Sequence, residues 1–83
     1  MLLNEEDNLD KIERKVEEAI SSLRRGFSVN GGDIHFVKYS NGTVQIQLMG
    51  SFVGYPSDKK DLLLMIERQI RMLVPEVDVV EFL

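Results

Sequence analysis

The dipeptide Asn41-Gly42 limits the possible folds of this chain more than any other feature of its sequence. Both residues tolerate the positive φ angles of a type I′ turn, and runs of strand-like composition flank them at residues 34–39 and 44–49. In the second run apolar residues alternate with glutamines, which is typical of a strand with one buried face. The sequence therefore predicts an antiparallel β-hairpin near the middle of the chain.

The register of this hairpin decides which side chains of the first strand are buried. If the Asn-Gly pair alone forms the loop, Tyr39 and Val37 share one face, while Ile34 and Phe36 lie on the other. A longer loop would shift the register and reverse this assignment. In both cases the strand carries apolar residues on both faces. Because two helices cover only one face of a small sheet, we expect some of these residues to contact a partner.

Two amphipathic helices flank the hairpin. The first is predicted to be capped by Asp7 or Asn8 and to end at Gly26 in the left-handed conformation. The second is predicted to be capped by Ser57 or Asp58 and to stop before a proline. Their predicted buried stripes are Leu9, Ile12, Val16, Ala19, Ile20 and Leu23 in the first helix, and Leu62, Leu63, Ile66, Ile70 and Leu73 in the second.

A third strand is predicted at residues 77–82, after the second helix. The order helix-strand-strand-helix-strand indicates a two-layer α+β fold, with a small mixed sheet and both helices on one face. Whether the third strand pairs with the first or the second stays open. At 83 residues the chain is expected to form one domain, residues 1–83, with residues 1–6 as a candidate flexible stretch.

Charge and hydropathy argue against two kinds of partner. A net charge of −4 and a pI near 4.9 give no sign of nucleic-acid binding. The first residues lack the features of a signal peptide, and the longest apolar run, residues 62–66, is too short to cross a bilayer. We therefore expect no membrane partner and a cytoplasmic location, with an organellar origin after transit-peptide removal left open.

The chain contains no cysteine. Disulfides, zinc–thiolate sites, thiolate nucleophiles and thiolate-held iron–sulfur clusters within a single chain are therefore excluded. We expect no resident cofactor and no enzymatic activity. The single histidine, His35, is interpreted as a structural or exposed strand residue, and Asp33 as an acceptor for backbone amides of its own turn.

Three segments together resemble a known family. They are the turn Asn30-Gly31-Gly32-Asp33, the loop Gly50-Ser51-Phe52-Val53-Gly54-Tyr55-Pro56-Ser57, and the helix Ile66-Glu67-Arg68 with its exit Val74-Pro75-Glu76-Val77. In order and spacing they resemble the C-terminal domain of NifU (the Nfu family). The family's motifs there are an Asp-Gly-Gly-Asp turn, a Gly-(Ala/Ser)-Cys-x-Gly-Cys-Pro-Ser loop, and an Ile-Glu-Arg helix with a Val-Pro-Glu-Val exit.

The motif loop of this chain differs from the family's pattern at both cysteine positions. In the family, two chains each supply a Cys-x-x-Cys pair, and one four-iron cluster lies between them. Here Phe52 and Tyr55 occupy the cysteine positions. Phenylalanine has no donor atom and tyrosine is a poor, hard ligand for an iron–sulfur core. The resemblance therefore implies a degenerate member without metal ligands in this loop.

Two interpretations of Phe52 and Tyr55 remain open. The rings could be apolar anchors that dock a partner or close a dimer, which makes the whole loop, residues 50–56, a candidate partner contact. Alternatively they fold back and fill the space left by the lost cluster. The turn at residues 30–33 is interpreted as structural.

Two hypotheses of function follow. In the first, implied by the resemblance, the chain is a non-catalytic module of iron–sulfur cluster assembly that binds assembly factors, a co-chaperone or apo target proteins. The alternative is a fold-only relative that serves as a stand-alone interaction or homodimerisation domain. The alternative is motivated by the two apolar faces of the first strand and by the surplus apolar residues Leu64, Met65 and Met72.

Overall fold

A computed structural model describes the backbone of residues 5–83 and the side chains of residues 11–83. The elements are α1 (Glu5–Ser28), β1 (Gly32–Ser40), β2 (Thr43–Gly50), α2 (Lys59–Leu73) and β3 (Val79–Phe82). This order, with two helices and a small mixed sheet, confirms the predicted α+β class. Of the candidate flexible stretch, residues 1–4 lie outside the described residues, and so does the side chain of Leu9.

The sheet has the order β1-β2-β3. β1 and β2 form the predicted antiparallel hairpin, while β3 pairs with β2 in parallel through the α2 crossover. The open question of the third strand is thereby answered. β3 is shorter than predicted, because Val77 N donates to Val74 O in a turn before the strand begins. Since parallel strands end at the same edge, the loop after β2 lies beside the end of β3.

A β-bulge corrects both predicted registers of the hairpin. Tyr39 pairs with Val44 as expected, but Phe36 pairs with Ile46, so that Val37 is the extra residue. The inserted residue reverses the alternation of side chains. Ile34, Phe36 and Tyr39 therefore all pack against the core, and Val37 is exposed. Of the apolar residues expected on the outer face of β1, only Val37 remains there.

The limits of α1 also differ from the prediction. The helix begins at Glu5, before the proposed caps Asp7 and Asn8, and it runs past Gly26 to Ser28. Gly26 is not among the residues with positive φ. The additional turn buries Phe27, whose side chain is only 2 % exposed. Burial of a large aromatic side chain outweighs the modest helix-breaking tendency of one glycine.

α2 begins as predicted, with Asp58 as its N-cap. The Asp58 carboxylate accepts hydrogen bonds from Lys60 N at 2.8 Å and Asp61 N at 3.4 Å. At the other end the prediction for Leu73 was wrong. Leu73 is exposed and Val74 is buried instead, because the chain leaves the helix there and turns back toward β3.

One core fills the space between the helices and the sheet. It consists of residues from both helices, all three strands and the segment that links α2 to β3: Val16, Ala19, Ile20, Phe27, Ile34, Val44, Ile46, Leu62, Ile66, Ile70, Val74, Val77 and Val80. The opposite face of the sheet is polar where Gln45 hydrogen-bonds Glu81 across β2 and β3. Neither helix in the described part of the chain has the length and apolarity needed to span a bilayer.

Two α2 side chains hold β3 in place. The Glu67 carboxylate accepts from Val80 N at 3.1 Å and from the Arg71 guanidinium at 3.0 Å. The same guanidinium donates to the backbone oxygen of Asp78. Val80 N belongs to the edge strand of the sheet. Its pairing with Glu67 removes a donor that another strand would otherwise use.

Candidate functional site

The two glycine-containing motifs of the sequence form one site. The turn before β1 and the loop after β2 touch at the base of the hairpin, where Ser51 N donates to Gly31 O at 3.3 Å. A Cβ atom on Gly50 would collide with the Gly31 carbonyl oxygen, and one on Gly32 would lie 2.6 Å from Ser51 O. Gly50 also has a φ of 84°. Glycine is thus required for the close approach of these two backbones.

The aromatic side chains of the motif loop pack inward on the end of α1. The Phe27 ring lies 5.0 Å from Phe52 and 4.8 Å from Tyr55 between centroids, in edge-to-face geometry in both cases. Phe52 and Tyr55 are half-buried and lie 6.4 Å apart. Edge-to-face contacts at these distances are favourable. The three rings form a small cluster that attaches the loop to the core.

The tip of the loop has a different character. Tyr55 N donates to Phe52 O at 3.0 Å, which closes a turn between the two aromatic residues. Val53, inside that turn, is 71 % exposed. Gly54 has a φ of 90° with open space around it, and Pro56 is exposed. Because the rings of Phe52 and Tyr55 face the core, Val53 is the apolar side chain of the loop most accessible to a partner.

Asp33, in the turn, accepts two hydrogen bonds. Its Oδ1 accepts from Ile34 N and from Arg24 Nε, both at 2.8 Å. The expected role as an acceptor for the turn's own amides is thus replaced by a bond to the first amide beyond the turn. The hydrogen bond from Arg24, followed by smaller contributions from the Ile34 amide and nearby positive charge, lowers the pKa of Asp33 below its ordinary value of 3.8.

His35 lies next to this carboxylate. Its Nε2 is 2.9 Å from Asp33 Oδ2, but the two groups are not aligned for a hydrogen bond, and the nitrogen itself is shielded from solvent. The histidine side chain as a whole is partly exposed. The ion pair of Asp33 with Arg24 links the end of α1 to the start of β1, and His35 lies beside it.

A groove lies beside the motif loop, and Phe52 and Tyr55 are among the residues that line it. This loop-side groove has a volume of about 750 Å³ and is lined by the loop, the ends of β2 and β3, and the start of α2. The buried side chains Ile46 and Leu62 reach its floor, and Leu48 and Phe82 also line it. Among the described residues that line the groove, Lys59 is the only one with a charged side chain.

The site contains little that could hold a metal ion. No group of three or more histidine, cysteine, aspartate or glutamate side chains comes together within residues 11–83. The two positions that the resemblance associates with ligation carry aromatic rings packed against Phe27. What the arrangement offers is a loop held by a close backbone contact, with an exposed apolar side chain at its tip.

Sequence reasoning missed Phe27 and the groove. Phe27 continues the helical spacing of Ile20 and Leu23, so the pattern itself contained the signal, but the assumption that Gly26 ends α1 excluded it. No local signal indicates the groove, because its walls come from segments far apart in sequence. The predicted site residues at 30–33 and 50–56 do lie together.

An α+β domain with a glycine-rich turn packed on a β2–α2 loop defines the class of this protein. The family model of the NifU-like domain matches residues 16–81. The chain therefore belongs to the NifU-like domain family, and its lack of cysteine makes it a member with a degenerate Cys-x-x-Cys motif.

Two curated relatives share the name "NFU1 iron-sulfur cluster scaffold homolog, mitochondrial". That of Drosophila persimilis is 30 % identical over 76 residues, which cover 90 % of this chain and 27 % of the relative. That of Drosophila willistoni is 34 % identical over 59 residues, which cover 71 % of this chain and 20 % of the relative. The chain thus spans about a quarter of the length of these relatives.

Proposed function

We propose that this domain is a non-catalytic protein-binding module associated with iron–sulfur cluster assembly, and that it does not itself ligate a cluster. The observation that carries the proposal is the motif loop. Its backbone is held by the close glycine contacts, while Phe52 and Tyr55 pack on Phe27 in place of metal ligands. Membership of the NifU-like family and the printed names of the two scaffold relatives support the link to cluster assembly.

The proposed partners are proteins of that process, either assembly factors or apo target proteins. Support comes from the exposed apolar side chain of Val53 at the loop tip and from the apolar groove beside it. The relatives carry "mitochondrial" in their names, so an organellar location is proposed beside a cytoplasmic one for this domain.

Anaerobic reconstitution with iron and sulfide tests the part of the proposal that concerns the cluster. We expect the wild-type chain to remain colourless and without stoichiometric iron or acid-labile sulfide. The double variant F52C/Y55C restores the Cys-x-x-Cys pair and is expected to gain visible absorption and bound iron. The matched control is F52S/Y55S, which loses the same aromatic packing but supplies no thiolate. A Cys-x-x-Cys relative serves as positive control.

Stoichiometric iron and labile sulfide in the wild-type chain would contradict this proposal, because the ligands would then come from outside the two loop positions. Equal binding by the cysteine and serine variants would contradict the argument that thiolates are the missing component. Circular dichroism of each variant separates loss of ligation from loss of fold.

One observation favours the alternative of a stand-alone interaction or homodimerisation domain. Leu64 and Met72 on α2 are exposed, whereas the bulge reduces the second apolar face expected on β1 to the single side chain of Val37. Binding of a purified cluster-assembly scaffold distinguishes the two. Loss of binding in Val53→Asp but not in Met72→Asp supports the proposal. Self-association abolished by Met72→Asp, without any scaffold binding, supports the alternative.

A further inference from the structure

The loop-side groove has the dimensions of a binding site. Its volume of about 750 Å³ falls within the range of about 300–1,000 Å³ that is typical of binding pockets. Its lining includes the apolar side chains Leu48, Leu62 and Phe82 beside polar ones such as Gln47 and Ser57, so a ligand would meet a mixed surface in which apolar side chains are the more numerous. The groove exists because the motif loop leaves the sheet at the end of β2 while β3 ends beside Ile46, so the space between them stays open.

The rim of the groove extends its apolar surface. Met49 and Val53 both line the groove and are exposed, Val53 by 71 %. A small molecule held in the groove would leave these side chains in water. A protein segment would cover them as well, and exposed apolar side chains beside an apolar cleft are a common mark of protein contact.

Lys59 makes this surface favour a partner with negative charge. It takes part in none of the ion pairs formed among the described side chains, and it lines the groove at the start of α2. The acidic residues near it in sequence do not line the groove: Asp61 lines a separate cleft with Leu64 and Met65, and Asp58 caps α2. The charge that Lys59 presents to the groove therefore complements a carboxylate.

We infer that the loop-side groove is the docking site for a partner segment that presents apolar side chains next to an aspartate or glutamate. The apolar side chains occupy the groove between the motif loop and the end of β3, and Lys59 pairs with the carboxylate at its rim. This inference rests on the proposed function, since it names the kind of partner that the module binds. Two rings of the aromatic cluster, Phe52 and Tyr55, line the groove. The third, Phe27, is buried behind them and does not line it.

Selection of peptides against the wild-type chain tests the inference. The probe is a phage-displayed library of random peptides about twelve residues long, since binding segments of this length are typical of groove recognition. We expect the selected peptides to combine large apolar residues with an aspartate or glutamate. In ¹⁵N–¹H spectra of the labelled chain, their binding is expected to shift the amide signals of Leu48, Val53, Lys59 and Phe82 most.

A matched pair of charge reversals isolates the role of Lys59. Lys59→Glu is expected to weaken the selected peptide about tenfold, whereas Lys60→Glu, the same change one residue away and outside the groove, leaves affinity within about twofold. A peptide in which lysine replaces the acidic residue is expected to bind Lys59→Glu better than the wild type. Both lysines are exposed, so neither variant threatens the fold.

Several results would overturn the inference. These are equal effects of the two lysine variants, selected peptides without acidic residues, signal shifts confined to the Leu64–Met72 side of α2, and selection that yields no binder. Binding of decanoate in the groove with the same dependence on Lys59, but no bound peptide, would also overturn it by assigning the groove to a small amphiphile.

The outcome is independent of the test of the proposed function. If the wild-type chain binds a cluster while the contrast between the lysine variants holds, the groove is a docking site in a protein of different function. If the chain binds no cluster and the lysine variants behave alike, the proposed function stands and this groove is not where its partner docks.

Discussion

The two ends of the sheet are built in different ways. At the hairpin end, Asp78 N and Val79 N donate to Gly42 O at 2.7 and 3.1 Å, and Glu67 and Arg71 bind the backbone of β3. At the loop end, the main contacts are the edge-to-face rings around Phe27. The first end is closed by polar bonds to the edge strand, while the second combines the contact of Ser51 with Gly31 and aromatic packing, and it contains the groove.

This difference shows which end of the sheet keeps surface available for contact with another chain. Hydrogen bonds to the edge strand occupy groups that another chain could use, so the hairpin end discourages association. Aromatic packing fixes the loop without occupying its outer side, so Val53 and Met49 remain exposed at the loop end. The four substitutions below test whether the two ends depend on these separate kinds of contact.

Phe27→Ala is expected to have the largest effect. It removes a fully buried ring and both of its edge-to-face contacts, so the free energy of unfolding should fall by about 3–5 kcal/mol. Urea denaturation measures this, with the exposed Val29→Ala as control. Amide exchange should increase most at residues 50–57. A loss no greater than that of the control would show that the rings do not support the loop end.

Gly50→Ala is expected to follow, with Gly54→Ala as its matched control in the same loop. Both residues have positive φ, at 84° and 90°, so alanine is strained at each by about 1–2 kcal/mol. At Gly50 the added methyl also meets the Gly31 carbonyl, whereas at Gly54 it meets open space. We expect Gly50→Ala to lower the free energy of unfolding by about 2–5 kcal/mol in total. Equal losses in the two variants would contradict the close backbone contact.

Glu67→Ala tests the hairpin end. It leaves Val80 N without its acceptor and Arg71 without its carboxylate, so we expect a loss of about 1–3 kcal/mol in chemical denaturation. Gln69→Ala, an exposed change on the same helix, should cost less than about 0.5 kcal/mol. Faster amide exchange in Glu67→Ala should appear at β3 and not in the motif loop. The opposite distribution would contradict the separation of the two ends.

Asp33→Asn is expected to have the smallest effect, a modest loss of stability at neutral pH that disappears in acid. The pKa of Asp33 is lowered by folding, so the ionised carboxylate stabilises the native state at higher pH. That contribution is lost as the pH falls below 3.8 and through the lowered pKa of the folded state. The urea midpoint of the wild type should therefore fall more steeply than that of the variant over this range. Parallel curves would show that the Arg24 contact does not affect stability.

Features that depend on local sequence were predictable. The Asn41-Gly42 turn and the buried positions of α2 follow from turn chemistry and helical spacing, and Leu62, Ile66 and Ile70 are buried as predicted. The helix cap at Asp58 is one of the two residues that the sequence indicated. Each of these features is decided within a few residues, so the sequence contains the necessary information.

Features decided by tertiary contact were not predictable from the pattern. The bulge at Val37 places Ile34, Phe36 and Tyr39 on one face, which is favoured because all three can then reach the core. α1 passes Gly26 because Phe27 is buried against rings from a distant loop. In the candidate site, the resemblance located residues 50–56. The direction of the Phe52 and Tyr55 rings depends on their contact with Phe27, which is distant in sequence, so no local pattern reveals it.

The contact between Gly50 and Gly31 has a consequence for what the motif loop can become. The start of the loop is fixed by backbone groups that meet without a side chain between them, so this contact does not depend on which residues stand at positions 52 and 55. Residues 52 and 55 can therefore change without removing the backbone contact at which the loop begins. Replacement of these residues by thiols, imidazoles or further rings, by design or by selection, changes the packing on Phe27 but leaves the backbone contact at Gly50 in place.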